Sequence, residues 1–481
     1  MSTIKLKEKI AYGLGDAASS MFWKIFGMYA LFFYTDVLGI TSAAAGTMFL
    51  IARIWDSFFD LGVGIMADRT RTKWGRYRPY LLWFAIPFSV MGAITFFVPD
   101  FGATGKLVYA YATYSLMMII YSLINVPYAS LLGVLSSDSQ ERNILSSYRM
   151  SFAFIGSFIT FMLLQPLVDG FADAFGSENG SGTSLTVHTG ISTAPIGWTL
   201  AVASIGALCT VLFFLCFRWT KERTIADIPE NSAEKGTIRQ DLKELFNNAP
   251  WWVLVATGLA ALLFNAVRDG VAIYYFRDYV KLSYKMPVTG WDSTTIYFLI
   301  GQAANLIGVM LAPRISLKYG KKRTYMAAMA LAGILSVIFF FIPDHFGWIL
   351  LLQTLISICA GYVLPLLWSM FADIVDYNEL RTNRRTAGLI FSSSSMSQKL
   401  GWAVGSALTG WLLFLFGYDK GLAEQTMHTV LGERMMISLL PAVCCVMAFI
   451  SMLFYPLSEK KVKEIAAQLK ERHAAHAPEA S

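Results

Sequence analysis

Arg53-Ile54-Trp55-Asp56-Ser57-Phe58-Phe59-Asp60 sets one arginine and two aspartates inside an apolar run too long for anything but a membrane helix. Each ionisable side chain at bilayer depth costs roughly 2.5–3.5 kcal/mol on the insertion scale, so a helix that keeps three of them is expected to use them. Ion or solute transport is the first expectation. On a helix Arg53, Asp56 and Asp60 fall at i, i+3 and i+7 and share one face. Two carboxylates this close in a low dielectric do not both stay ionised without a cation, so either a metal ion binds between them or one holds a proton. Both outcomes describe a cation-coupling site, although Arg53 and Asp56 also fit a buried pair that only fixes helix packing.

The composition agrees with a membrane setting. Of 481 residues 56% are hydrophobic and 15% charged, and the mean hydropathy is +0.52, which predicts a polytopic all-α membrane protein. Cys209, Cys216, Cys359, Cys444 and Cys445 all lie in apolar runs without metal-ligand spacing, so structural zinc and disulfides are not expected. The net charge of +7 comes from basic residues in alternate loops and points to topology rather than nucleic acid. The N-terminus lacks a short apolar core with a small-residue cleavage site, so a cleavable signal peptide is not expected.

Spanning segments are predicted near 11–36, 43–67, 79–99, 106–134, 145–169 and 197–218, and again near 251–275, 292–313, 323–343, 347–372, 386–416 and 434–456, the 386–416 segment being interrupted by a serine run. About twelve helices result. Basic clusters follow the second, sixth, eighth and tenth segments (Arg69 to Arg78, Lys221 and Arg223, Lys318 to Arg323, Arg381 to Arg385), and the tail adds Lys460, Lys461 and Lys463. The positive-inside rule puts these loops and both termini in the cytoplasm. The 170–196 loop has no Lys or Arg and a Gly/Ser/Thr-rich centre, which predicts a mobile external loop; the 276–291 loop, with Arg277, Lys281 and Lys285, is the exception outside.

The predicted division is a six-helix bundle over 1–220, a polar cytoplasmic connector over 221–249, a second bundle over 250–457 and a tail over 458–481. The halves look like repeats. Arg69-x3-Lys73-Trp74-Gly75-Arg76 recurs as Arg314-x3-Lys318-Tyr319-Gly320-Lys321, and Pro127, Asp138 and Glu141 recur 238 residues later as Pro365, Asp376 and Glu379. Parallel halves of this kind are the arrangement of major-facilitator transporters, with the site between the halves near the midplane.

Further ionisable residues in spans are Lys24, Arg149, Arg268, Asp269 and Lys399. Lys399, after Gln398 and deep in the eleventh helix, needs a counter-charge. Arg149, one turn into the fifth, is also placed to snorkel to the interface, and Arg268 with Asp269 fits an interfacial pair. Tyr29, Tyr34, Tyr121, Asn125, Tyr128, Asn265, Gln302 and Asn305, beside Trp23, Trp368 and Trp402, suit a hydroxyl-rich ligand, though aromatics also form interfacial belts. No Walker loop or catalytic triad is present, so the chain is not expected to be an enzyme or to need a cofactor, and energy would come from an ion gradient. Gly13 and Gly15 fit close helix contacts better than phosphate binding.

Tyr12-Gly13-Leu14-Gly15-Asp16, Phe33-Tyr34-Thr35-Asp36-Val37-Leu38-Gly39, Ala52-Arg53-Ile54-Trp55-Asp56, Asp68-Arg69-Thr70 with Trp74-Gly75-Arg76, Ala372-Asp373-Ile374-Val375-Asp376-Tyr377 and Gln398-Lys399-Leu400-Gly401, in that order, resemble the glycoside-pentoside-hexuronide:cation symporter family, which includes the melibiose and xyloside permeases. The resemblance spans nearly the whole chain. It implies a major-facilitator fold in the inner membrane, acting as a monomer among lipids, and sugar uptake coupled to sodium or protons. It implies a coupling cation at Asp56 and Asp60, helped by Ser122, with Arg149 and Lys399 at the sugar or cation site and Asn125 where melibiose permeases carry a sugar-binding carboxylate. Ser20, Trp23 and Gln398 complete the expected sugar site. Arg69 with Asp138, and Arg314 with Asp376, are expected to gate the cytoplasmic side. Ser19 and Ser20 stand where those permeases have a lysine and a sugar-binding aspartate, and Ala129 where they have a stacking tryptophan, which argues against melibiose. Phe59 replaces an asparagine that helps coordinate sodium, which favours a proton carried by Asp60. A lysolipid symporter of the same fold and a receptor that binds sugar without transporting it are the alternatives.

Overall fold

Long apolar runs leave the backbone no partner but itself in a bilayer, and the chain answers with helices. The computed structural model describes residues 4–136, 139–175, 192–223, 245–281, 291–382, 387–422 and 424–475. Among them no β-strand occurs beyond an isolated bridge between Thr72 and Gly75. Helix α1 (Leu6–Lys24) runs on through two π-helical stretches, Ile25–Tyr29 and Phe33–Leu38. Then come α2 (Ser42–Arg69), α3 (Arg78–Thr95), α4 (Ala103–Leu135), α5 (Ser139–Phe175) and α6 (Pro195–Trp219). The second series is α7 (Ala249–Val280), α8 (Ser293–Tyr319), α9 (Lys321–Phe341), α10 (Phe346–Thr382), α11 (Ala387–Leu415), α12 (Met427–Leu453) and a tail helix, α13 (Glu459–Ala475).

Eight of these described helices are apolar and long enough to cross a membrane. Helices α1, α2, α3, α11 and the tail helix α13 fall outside that set, and three of them carry polar groups considered above: Asp16 and Lys24 on α1, Arg53, Asp56 and Asp60 on α2, Gln398 and Lys399 on α11.

The serine run expected to interrupt the eleventh segment is helical throughout. Ser393 and Ser394 donate to the Ile390 carbonyl (3.0 and 2.6 Å) and Ser397 to that of Ser394 (3.0 Å), so these hydroxyls are satisfied by the preceding turn and need no break. The centre of the 170–196 loop, most of the 221–249 connector, Lys285, Arg384, Arg385 and Asp138 lie outside the described residues.

By backbone contacts the chain forms two compact units, one of Met1–Asp227, Asp269–Gln302 and Ser406–Arg434, the other of Ile228–Arg268, Ala303–Gly405 and Met435–Ser481. In the first, α1 lies directly against α4 and α5: a Cβ on Gly13 would meet the Phe152 ring at 2.6 Å, and one on Gly15 the Tyr128 ring at 2.5 Å. The glycines there are explained by close packing. In the second, α13 lies against α10, with Lys461 Nζ 5.8 Å from the Tyr377 ring centre and Ile465 and Leu469 buried.

Each unit repeats one clasp. Gly75 (φ 113°) and Gly320 (φ 89°) turn the chain into α3 and α9 with a backbone that favours glycine. After the first turn, the amides of Arg76, Tyr77 and Arg78 donate to the Glu222 carboxylate at 2.8, 2.9 and 2.9 Å; after the second, the Lys321 amide donates to Glu459 at 2.6 Å. A glutamate just past the last helix of each series thus caps the N-terminus of the third. Glu222→Ala, which strands three amides, should lower stability in detergent by about 1–3 kcal/mol, and Glu459→Ala by less. Thermal unfolding curves of the two variants check the order. Glu141 makes a similar tie: the Ile4 N–H (2.9 Å) and the Ser136 hydroxyl (2.8 Å) hold its carboxyl below the usual carboxylate range.

Candidate cation and solute site

Helix α2 puts its charges on the face predicted from spacing, and α4 supplies the groups opposite. Asp56 is 2% exposed and its Oδ1 accepts from the Ser122 hydroxyl at 2.5 Å. Arg53, one turn earlier and 7% exposed, lays its guanidinium over the Trp23 ring, 4.4 Å from the centroid, and Asp56, Tyr114 and Tyr121 face it. Trp23 in turn packs beside Tyr121, with ring centroids 6.1 Å apart. Asp60, a further turn along, is half-buried. A buried carboxylate is thus flanked by a hydroxyl and an arginine. Among the described residues no group of three or more His, Cys, Asp or Glu side chains is placed to hold a metal ion.

A second polar group forms one layer away. Arg149 Nε donates to Asp16 Oδ2 at 3.2 Å, with Asp16 8% exposed. The guanidinium sits 5.3 Å from the Tyr128 ring. Tyr128 stacks on Tyr12 at 5.0 Å and donates its hydroxyl to the Tyr12 carbonyl at 2.6 Å. Arg149, its side chain 28% exposed, is thus tied to an acid beside an aromatic ring. Asn125 is half-buried on α4, and its side-chain oxygen, shielded from solvent, has no hydrogen-bond donor among the described residues. Ser20 is half-buried on α1. Lys24 faces Asp269 and lies 5.7 Å from the Phe161 ring.

In the second unit Gln398 and Lys399 are half-buried neighbours on α11, and the Gln398 amide nitrogen is buried without an acceptor among the described residues. Arg268 turns to Gln353 (2.8 Å) and the Ile437 carbonyl (3.1 Å). On the basic-loop side, Arg69 and Arg314 are exposed and Asp376 half-buried. The acid that binds a cation there is Asp373, held by Lys321 Nζ at 2.7 and 2.8 Å. An apolar cavity of about 390 Å³ between α8, α9 and α10, lined by Ile315, Arg323, Leu331 and Tyr362 among others, contains none of the predicted site residues.

Asp16, Asp373, Glu222 and Glu459 were not singled out from sequence as partners. For Asp16 a signal existed: a buried arginine needs a counter-charge, and Asp16 is a close acid on the neighbouring helix. For the two glutamates there was none, since each sits in an ordinary polar stretch.

The profile described as MFS/sugar transport protein matches residues 11–459. The chain belongs to this family. Its members are membrane transporters, not enzymes. Curated relatives cover essentially the whole length: the "Putative glycoside/cation symporter YagG" of Escherichia coli (strain K12) is 33% identical over 99% of this chain and 97% of its own. The isoprimeverose transporter of Lactiplantibacillus pentosus is 33% identical over 97% and 92%, and the inner membrane symporter YicJ of Escherichia coli (strain K12) 31% over 97% and 95%. Among solved structures, a bacterial homologue of the human lysosomal transporter Spinster matches with a TM-score of 0.68 at 13% identity over 96% of this chain and 97% of that one. The nucleoside transporter NupG matches with a TM-score of 0.60 at 16% identity over 95% and 100%. At such identities these likenesses speak for the fold alone, which is that of the major facilitators.

Proposed function

We propose that this member of the MFS/sugar transport protein family is a cation-coupled symporter that carries a glycoside or related sugar into the cell by alternating access. The observation that carries the proposal is the Asp56 site: an ionisable acid buried in a membrane helix, bonded to Ser122 and facing Arg53, on the helix that also bears Asp60. Such a residue is costly to keep and is the natural seat of a coupling cation. Relatives named as symporters of glycosides and as an isoprimeverose transporter support the substrate class.

In this proposal Asp56, Asp60 and Ser122 bind the cation, and Ser20, Trp23, Asn125, Arg149, Gln398 and Lys399 bind the sugar. The apolar ring faces of a sugar suit Trp23 and its hydroxyls suit Arg149 and the side-chain amides of Asn125 and Gln398. Arg69 with Asp138, and Arg314 with Asp376, exchange contacts on the cytoplasmic side, where both termini lie; the protein works as a monomer and without a bound cofactor. The coupling ion is a proton, because Phe59 offers no oxygen beside Asp60 and Asp56 already has a hydroxyl and an arginine around it. One proton moving inward across 100 mV with a neutral sugar provides about 2.3 kcal/mol, enough for roughly 50-fold accumulation before any pH gradient.

The test is uptake of labelled isoprimeverose and of a panel of competing glycosides into proteoliposomes under separately imposed pH and sodium gradients. Acid outside should drive accumulation in sodium-free buffer. Stimulation by sodium alone would overturn the choice of ion, and competition by lysolipid but by no sugar would overturn the substrate class.

A further inference from the structure

Away from the site just described, at the end of α1 remote from the basic loops, the first unit closes around one arginine. Arg277, in the π-helical end of α7, donates Nε and Nη2 to the two oxygens of Asp278, both at 2.7 Å, Nη1 to Asp36, and Nη2 to the Tyr418 hydroxyl at 2.6 Å. Tyr418 donates to Asp36 at 2.5 Å, and Tyr274 and Thr35 share a hydrogen bond of 2.7 Å beside them. The knot ties the π-helical end of α1, the end of α7 and the loop after α11. Its cation is spent on Asp36 and Asp278.

Into this knot comes Glu433 from α12. Its side chain is fully buried, and neither carboxyl oxygen has a hydrogen-bond donor among the described residues. What it faces is the Asp278 carboxyl, with Arg277 and Asp36 behind it. Tyr274 on α7 also faces it, while Arg434, next in the chain, lays its guanidinium over Tyr279 at 4.5 Å. Asp36, Asp278 and Glu433 share Arg277, so full ionisation would leave a net charge of about −2 out of water, which is prohibitive. Two carboxyl groups that face each other out of water, with one arginine shared among three acids, are relieved by a proton on one of them.

We propose that Glu433 is a second proton-binding site, separate from Asp56 and Asp60: in this closed knot it carries a proton and donates it to Asp278, so that acid locks this end of the transporter shut. Opening the knot, which the alternating access proposed above requires, exposes Glu433 to water and releases the proton. Because closure then takes up one proton, its equilibrium shifts by up to tenfold per pH unit where the open form is ionised.

Two measurements on the full chain in lipid test this. Infrared spectra should show a buried carboxylic-acid C=O band that Glu433→Gln removes and Asp278→Asn shifts. Hydrogen exchange of the peptides over 274–281 and 427–437, corrected for the intrinsic pH effect, should become more protected as pH falls, and Glu433→Gln, a fixed neutral donor, should make protection flat and high at every pH. A carboxylic-acid band of unchanged amplitude in Glu433→Gln, or an unchanged pH profile in that variant, overturns the proposal. Neither readout involves sugar uptake, so failure here is distinguishable from failure of the symport proposal.

Discussion

Asp56→Asn lowers gradient-driven uptake by about 100-fold or more, the expected result if the carboxylate beside Ser122 is part of the coupling site. The size follows from the surroundings. Arg53 is buried against Trp23 with Asp56 before it, and removing one partner of a buried charge pair costs about 3–5 kcal/mol because the other is left uncompensated. The same loss would follow from misfolding, so the variant is read beside Arg53→Gln/Asp56→Asn, which removes both charges and should regain thermal stability without regaining uptake. Asp60→Asn separates roles on the same helix. If Asp60 carries the proton, the amide in its place fixes the site in its neutral form: exchange of labelled sugar across a membrane without a gradient continues, while concentration against a gradient stops. Accumulation at the normal level in both Asp56→Asn and Asp60→Asn would remove this pair from the coupling mechanism.

The spacing of Arg53, Asp56 and Asp60 was enough to assign a helix with a polar face inside a membrane, because a period of 3.6 and the cost of buried charge act locally. Helix positions followed from hydropathy in the same way, and missed at the serine run, where hydroxyls bond back within the helix and need no loop. Partners were another matter. Which acid meets Arg149, or that Glu222 lies under the amides of residues 76 to 78, depends on packing between segments more than a hundred residues apart, and no periodicity within one segment encodes it. Asp36 shows the boundary clearly. It lies in the Phe33–Gly39 family motif, yet its role in holding Arg277 and Tyr418 appears only when α1, α7 and the loop after α11 are brought together. The Gly75 and Gly320 repeat did carry structural information, since both turns need a positive φ that glycine alone adopts readily.

The pair Arg149 and Asp16 is the place where binding and stability are separated most sharply by mutation. Arg149→Gln leaves the Asp16 carboxylate inside the bundle without its cation, and Asp16→Asn leaves Arg149 without its anion; each should destabilise the protein, by up to about 3–5 kcal/mol for a buried pair and less in proportion to the exposure of Arg149. The double variant Asp16→Asn/Arg149→Gln removes both charges and should recover much of that stability, the non-additive signature of a direct pair. Uptake divides the two roles of Arg149. Its Nε is taken by Asp16, whereas the two terminal nitrogens of a guanidinium form a planar pair of donors, a geometry that suits adjacent sugar hydroxyls and that lysine does not reproduce. If the arginine grips the sugar, the double variant is stable and still fails to bind, and Arg149→Lys keeps the Asp16 ion pair while raising the KM for uptake by roughly 10-fold or more, the worth of one charge-assisted hydrogen bond. If the arginine only anchors α5 to α1, both the double variant and Arg149→Lys transport at close to the normal KM. Thermal unfolding and sugar counterflow on the same four preparations decide between these outcomes.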